Sequence, residues 1–493
     1  MSESRINNDR LSRGGRVRWG AILGALLVTA AIVAGVCVER MRAEPAAVVE
    51  EMAAQHANSW RITGVGSCTA AGCHGGGHPE TIGSEYNIWI SEDPHAKAYS
   101  TLFDERSEQM VRLLAGSASG SVMPAHQDKR CLACHSMTGE SARGELADIV
   151  SDGVGCEACH GPAEGWLAVH SEHPLDKQER EQLGLWDTDS LLVRTQLCVR
   201  CHVGSPGRDV DHDLIAAGHP RLQFSMSAYW EALPKHWDDA KDRAPWGANY
   251  DALLWVFGQA ATSEAALNRL ADRARTGKNW PEFAEWSCTA CHHDLRNDAA
   301  IQESLARQGN LSGRHIAWDP WNHFGTREHA IDVSAALGIE TNSAQTIEER
   351  LREIGTSMRE IYPNRTAVDQ QAGSAAELVA AWAEALEHGG MDRSRLDRLM
   401  RAIIDRALHA NLQDWSAAAQ TYDALASLQQ SRLQYVAGDG DAIPQADREF
   451  SQALRQMYAA LAAFAGGQRF EPDKFRQQLV QLGELLPAER SEP

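Results

Sequence analysis

The final third of the chain shows the regular spacing of apolar residues that predicts amphipathic helices. Apolar residues three or four positions apart lie on one side of a helix, where they can pack against a neighbour. After about Asn322 this spacing recurs in successive segments, one of which ends at Gly389-Gly390. The positions that carry it are Ile347, Leu351, Ile354, Met358 and Ile361, then Leu378, Trp382 and Leu386, then Leu399, Ile403 and Leu408, followed by 414–433 and 446–464. The pattern predicts a helical domain over residues 326–493. It favours a packing or docking module over a tetratricopeptide-like array, which repeats about every 34 residues.

Residues 61–325 have no comparable period and are rich in tryptophan. Twelve of the fifteen tryptophans lie between Trp60 and Trp321, which indicates a region that packs against something large and flat. Asp93-Pro94 supplies a helix cap and a first helical position, and residues 229–236 and 250–261 also have a helical pattern. We therefore expect a mainly α-helical protein with little β structure, in which this region contains long irregular segments.

Near the N-terminus, residues 19–38 read WGAILGALLVTAAIVAGVCV and contain no charged side chain. The run is long enough to cross a bilayer, and five arginines precede it in residues 1–18. Because basic residues stay on the cytoplasmic side, we expect a single-pass anchor in the inner membrane, a linker over 39–60, and the bulk of the chain in the periplasm. The alternative is a cleaved signal peptide, although Val36, Cys37 and Val38 do not form a usual cleavage site.

The net charge of the chain is −20, which argues against nucleic acid as a partner. The basic residues before the apolar run make the remainder more acidic still. An acidic body of this kind attracts partners with basic docking surfaces by electrostatic steering.

Ten of the eleven cysteines form five pairs, and each pair is followed at once by histidine. The third pair lies in GVGCEACHGPAEGWLAVH, residues 153–170, which ends on a further histidine. The five sets are Cys68, Cys73 and His74; Cys131, Cys134 and His135; Cys156, Cys159 and His160; Cys198, Cys201 and His202; and Cys288, Cys291 and His292. C-x-x-C-H is the attachment motif of c-type haem. Two cysteines one turn apart bond to the vinyl groups of one porphyrin, and the histidine then binds its iron. The sequence predicts five covalently bound haem c groups, the first through a motif with wider cysteine spacing.

Other uses of these cysteines explain the pattern less well. Disulfides are natural in an exported protein, but they do not require histidine after every second cysteine. A structural zinc site combines two such pairs, and five do not divide evenly. A thioredoxin-like C-x-x-C would occur once.

Fifteen histidines remain after the five that follow cysteine pairs, and thirteen of them lie between His56 and His329. A haem iron that only transfers electrons takes two protein ligands. These histidines are therefore candidates for the second, distal ligand.

Residues 61–205 resemble the cytochrome c-554 family, the tetrahaem electron carriers of hydroxylamine oxidation. The similar features, in order, are the first cysteine pair, WISEDPHAKAYSTL, QDKRCLACH, GVGCEACHGP with its later histidine, and LCVRCH. The resemblance implies that His95 ligates the haem of the third motif. It likewise implies that His170 ligates the haem of the first.

The chain departs from the family pattern in three places. The family's second haem has an open sixth position, which His126 could fill here. The family has a histidine just before its fourth motif, whereas this chain has none, so His219 or His212 would have to serve that haem. The fifth motif lies outside the resemblance, and His293 beside it is either a ligand or polar filling.

These observations predict a membrane-anchored pentahaem cytochrome that relays electrons between redox partner proteins. One alternative is a multihaem reductase or oxidase of a small nitrogen or sulfur compound, which needs one open iron. Another is a haem subunit of a larger respiratory complex.

Overall fold

Helices make up nearly all the regular structure of the chain. The computed structural model describes residues 60–77, 83–116, 122–137, 147–288, 318–409, 415–438, 442–465 and 470–487. Within these ranges β structure is limited to two isolated bridges, Ser205 with Arg208 and Trp286 with Trp318. The predicted mainly α fold class is confirmed.

The described residues between 60 and 249 form short helices joined by turns and loops. They are α1 (Glu85–Glu92), α2 (Glu105–Ala115), α3 (Lys129–His135), α4 (Ala147–Ser151), α5 (Glu157–His160), α6 (Lys177–Leu183), α7 (Leu191–His202), α8 (His212–Ala217), α9 (Met226–Ala232) and α10 (Asp239–Arg243). Local sequence sets their bounds. The Asp128 side chain accepts a hydrogen bond from the backbone N–H of Arg130 at the start of α3. Helix α5 ends at Gly161, whose φ of 84° favours glycine.

Helix α11 (Tyr250–Thr276) is the central element of the fold. It has 27 residues, and most of its side chains are buried on all sides. Helix α7 packs against it, as do two helices from the C-terminal part, α15 (Arg365–Leu386) and α17 (Trp415–Gly438). A helix that is apolar or small-residue all round in this way belongs to the interior of a larger helical assembly.

The described residues after 318 form two short helices followed by a set of longer ones, some of which pack against α11. In chain order these are α12 (Phe324–Glu328), α13 (Ala330–Leu337), α14 (Asn342–Ser357), α15, α16 (Arg393–His409), α17, α18 (Gln445–Ala465) and α19 (Pro472–Leu485). Consecutive members from α16 to α19 pack together. Trp382 of α15 is buried, and its indole N–H donates to Ser334 Oγ at 2.9 Å.

Three helix bounds differ from those expected. Ile361 lies beyond the end of α14 and is 83% exposed, because the chain turns after Ser357 and reaches Pro363 before the next helix. Helix α11 continues to Thr276, well past residue 261. Helix α9 stops at Ala232, so residues 233–236 are not helical.

One apolar core runs from Leu191 to Leu486, across the expected domain boundary at residue 325. The domain limits 61–325 and 326–493 stay predictions. Among the described residues no helix is long and apolar enough to span a membrane. The expected anchor at 19–38 lies outside them.

Candidate haem site

The second, third and fourth cysteine motifs each occupy the C-terminal end of a short helix. Helices α3, α5 and α7 all end on the motif histidine, which is His135, His160 and His202 respectively. Residues three apart in a helix lie on neighbouring positions of one face. The two cysteines of each motif can therefore reach the same porphyrin edge while the next residue reaches its iron.

None of the nine cysteines within the described residues forms a disulfide. Side chains from different motifs are neighbours, since Cys68 lies beside Cys156 and Cys134 lies beside Cys201. The first motif thus lies against the third, and the second against the fourth. Cys291 and His292 of the fifth motif, and His293, lie outside the described residues. Cys288 is exposed, and its Sγ lies 3.1 Å from Arg221 Nη1.

His74 of the first motif faces His170 across a gap. Their ring centroids are 6.2 Å apart, and the ring planes are inclined by 13°. The Nδ1 atom of His74 lies 2.9 Å from Glu85 Oε2, and Nδ1 of His170 lies 2.8 Å from the Leu167 carbonyl oxygen. The structure brings together the two residues that the family resemblance pairs.

Two further histidine pairs have the same separation. His95 and His202 have centroids 5.9 Å apart with an interplanar angle of 74°. For His160 and His236 the values are 6.3 Å and 77°.

These separations fit two imidazoles on opposite faces of one iron. A metal–imidazole bond is about 2 Å long, and the ring centroid lies roughly 1 Å behind the nitrogen, so the centroids should be roughly 6 Å apart. The first, third and fourth motifs therefore each have a histidine pair at the separation that ligation of one haem iron requires.

The pairing of His95 differs from the expectation. The family resemblance implied the haem of the third motif, but the ring of His95 faces His202 of the fourth. The backbone of His95 does lie beside the third motif, since its carbonyl oxygen accepts from the N–H of Val154 at 3.1 Å. The Asp93 carboxylate, 2.9 Å from Nδ1, holds the ring in the orientation that points it to His202.

His236 fills the position opposite His160, and no sequence pattern had singled it out as a ligand. It lies in YWEALPKHW, where its ring packs edge-on against Trp237 with centroids 5.0 Å apart. A histidine within a cluster of tryptophans, in a chain with haem motifs, was the available signal.

Most of these histidines have their Nδ1 atom occupied. The partner is a carbonyl oxygen for His135, His170 and His219, at 2.8, 2.8 and 2.7 Å. Because a carbonyl oxygen only accepts, Nδ1 must carry the proton, and Nε2 keeps its lone pair for a metal. For His95, burial lowers the pKa, but the hydrogen bond and charge of Asp93 outweigh it and the net pKa is raised.

The remaining candidates have different surroundings. His126 stacks on Phe103, and its Nε2 lies 3.3 Å from the Gln127 side-chain amide. His219 lies near His135 of the second motif: burial lowers the pKa of His219, the hydrogen bond with Pro220 partly offsets this, and the charge of His135 lowers the pKa further. His212 packs edge-on against Phe283 with centroids 5.7 Å apart. We expected His219 or His212 to serve the fourth haem, whereas in the structure the ring of His95 faces His202 of the fourth motif.

Comparison with known proteins agrees with the motifs. Residues 67–161 match the model of the family "Cytochrome c554 and c-prime". No curated protein matches the chain, and no solved structure does. The resemblance inferred from the motifs is thereby confirmed: over residues 67–161 this chain is similar to the cytochrome c554 family, which supports a c-type cytochrome with covalently bound haem and a role in electron transfer.

Proposed function

We propose that this protein is a pentahaem c-type cytochrome that relays electrons at the outer face of the inner membrane. The observation that carries the proposal is the set of three histidine pairs with centroids 5.9–6.3 Å apart, each containing the histidine of a different motif. Bound haem iron supplies a reversible one-electron couple, with its potential tuned by the axial ligands.

Two histidines on an iron favour a carrier over a catalyst. A catalytic iron needs an open position for its substrate, whereas an electron-transfer iron has both axial positions filled by the protein. His135 has no such close partner among the ring contacts of the described residues, but the neighbouring His219 has its Nδ1 bonded to a carbonyl and its Nε2 available. In the proposed function His219 closes the sixth position of the second motif.

The contacts between motifs support a continuous path. The first and third motifs meet at Cys68 and Cys156, and the fourth and second meet at Cys201 and Cys134. Cys159 of the third motif lies near Cys198 of the fourth, so these two motifs are also neighbours. The motifs succeed one another in the order first, third, fourth, second.

Membrane attachment and partner choice are further parts of the proposal. The apolar run at 19–38 would hold the protein at the membrane, and the acidic chain, with a net charge of −20, would attract redox partners through basic surfaces. Membrane fractions washed with high salt should retain the protein. Electron exchange with a basic partner should slow as ionic strength rises.

The decisive experiment counts haems and open irons in one purified sample. Intact mass should show five covalent haems, and the reduced protein should bind little carbon monoxide. A protein without covalent haem would refute the proposal. Stoichiometric carbon monoxide binding to one iron would instead favour the reductase or oxidase alternative.

A further inference from the structure

His236 belongs to a segment that contacts one of the C-terminal helices, α17. We call residues 225–238 the strap; it comprises α9 and the turn that follows, and it ends just after Trp237. The strap touches two of the candidate haem sites. His236 faces His160, and the ring of Tyr229 packs edge-on against that of His202 at 4.8 Å.

Helix α17 contacts the start of the strap through two hydrogen bonds. Ser225 Oγ donates to Asp423 Oδ1 at 2.8 Å, and Ser427 Oγ donates to Ser227 Oγ at 2.9 Å. Ser225 also caps α9 by accepting from the backbone N–H of Ala228. The same hydroxyl therefore begins the helix and fastens it to α17.

The carboxyl of Asp423 is an unusual group for this position. Burial raises its pKa to about 6, and the hydrogen bond from Ser225 lowers it only in part. Its second oxygen, Oδ2, is buried without a hydrogen-bond partner among the described residues. A buried carboxyl costs stability when it is incompletely satisfied, and the hydrogen bond from Ser225 is the side-chain contact that partly satisfies this one.

The far end of the strap is held by aromatic packing. Trp230 and Trp237 pack with centroids 4.6 Å apart, and the Arg194 guanidinium lies 4.4 Å above the Trp230 ring. Met226 packs against α11 so closely that a Cβ added at Gly258 would lie 2.5 Å from the Met226 Cβ. Contacts with α11, with α17 and with Arg194 of α7 therefore hold the strap from outside.

We propose that α17 is a positioning element for the third-motif haem, with Asp423 as the positioning residue that acts through Ser225 and the strap on His236. This inference rests on the proposed haem-binding function. In it the C-terminal helices set the orientation of a distal ligand, and with it the electronic state of one iron.

The angle between axial imidazole planes provides the readout. It sets the magnetic anisotropy of a low-spin ferric iron, so rotation of either ring moves the g-values of that haem. His160 and His236 are inclined by 77°, in contrast to 13° for His74 and His170. The two classes should give separate signals in electron paramagnetic resonance.

The test compares haem-loaded, full-length variants. Asp423→Ala removes the acceptor of Ser225, whereas Asp423→Asn keeps a carbonyl oxygen there. Asp447→Ala is the matched control, because Asp447 pairs with Arg432 at 2.7 Å and Arg393 at 3.1 Å within the C-terminal helices. We expect Asp423→Ala to shift the signal of one steeply inclined pair and the midpoint potential of one haem. Asp423→Asn should retain the wild-type signal, and Asp447→Ala should lose thermal stability only.

Two results would overturn the inference. The first is an unchanged spectrum and potential in Asp423→Ala alongside a stability loss like that of Asp447→Ala. If Asp423→Ala does not accumulate, Ser427→Ala replaces it; this variant removes the bond to Ser227 and the bond within α17 to the Asp423 carbonyl oxygen. A wild-type spectrum in that variant is the second result. A wild-type protein without covalent haem would remove the proposed function as well, whereas a normal low-spin wild type with unresponsive variants would remove this inference alone.

Discussion

Between residues 60 and 190 the longest described helix has 11 residues, whereas α11 alone has 27 and the helices after residue 340 have 14 or more. The two regions also differ in what they bury. The first has a small apolar cluster of Leu102, Val111 and Ala125, while the second shares one large core that extends to Leu486. Short helices are marginal by themselves and need packing partners. Among the described residues, side chains alone account for the core of the second region, whereas the first has only a small core of its own. Under the proposed function, groups bound to its cysteines and histidines supply the remaining packing surface.

Loss of haem attachment should produce the largest difference between the two regions. In the full-length chain with the motif cysteines of the first four pairs replaced by serine, residues 60–190 should lose amide protection, because their main packing surface is gone. Residues of α14 to α19 should remain protected, since their core consists of side chains. Hydrogen exchange followed by mass spectrometry measures both. Equal protection of residues 60–190 with and without haem would contradict our account of this region.

A core substitution in the second region should destabilise the C-terminal helices and leave the haem sites of the first region unchanged. Trp382→Ala removes a side chain that is 2% exposed together with its bond to Ser334. The expected loss is about 3–5 kcal/mol in the free energy of unfolding. Denaturant unfolding followed by helical circular dichroism measures the loss, while the haem absorbance should keep its low-spin form. A change of spin state in this variant would mean that the two regions are less separable than their cores indicate.

Removal of a distal histidine should change one iron and leave the rest. His170→Ala should abolish the signal of the near-parallel pair, and His236→Ala that of a steeply inclined pair. In both variants covalent haem is kept, because the thioethers and the motif histidine are intact. Electron paramagnetic resonance at low temperature separates the outcomes. Identical spectra for the wild type and both variants would refute these ligand assignments.

The smallest expected effect is on stability in acid, and it concerns Asp242 in α10, the helix that follows the strap. Burial raises the pKa of Asp242, but hydrogen bonds from Arg194 and Tyr250 outweigh it, so the net pKa lies below the ordinary value of 3.8. A carboxyl with a lowered pKa stabilises the fold fully above its unfolded pKa, and this contribution is lost as pH falls through the folded value. The stability gap between wild type and Asp242→Asn should therefore be constant near neutral pH and shrink below about pH 4. Thermal unfolding across that range tests it; a gap that widens in acid would contradict the assignment.

Several features of the fold could be predicted because they depend on neighbours in sequence. The C-terminal helices follow from apolar spacing, which needs no knowledge of the partner helix. Predicted bounds were less accurate where packing extends a helix: α11 continues to Thr276 because α15 and α7 bury its second half. Ile361 fits the apolar period yet is exposed, since the turn before Pro363 ends the helix first.

The attachment chemistry of the candidate site is likewise local. Five to seven consecutive residues are enough to recognise each cysteine motif, and three of these motifs lie at the ends of helices. The sequence by itself determined the five cysteine–histidine motifs, the helical class and the acidic charge, because each is encoded over a few consecutive positions or in the total composition.

Only the tertiary structure decided which histidine faces which motif. His95 is hydrogen-bonded through its backbone to the third motif, yet Asp93 turns its ring to His202 of the fourth. His236 lies opposite His160 on a strap whose Ser225 donates a hydrogen bond to Asp423, far along the chain. Such pairings join residues tens to hundreds of positions apart and depend on the direction of single side chains. Neither quantity is present in a linear pattern, since both arise from how the packed helices fix each backbone and each ring.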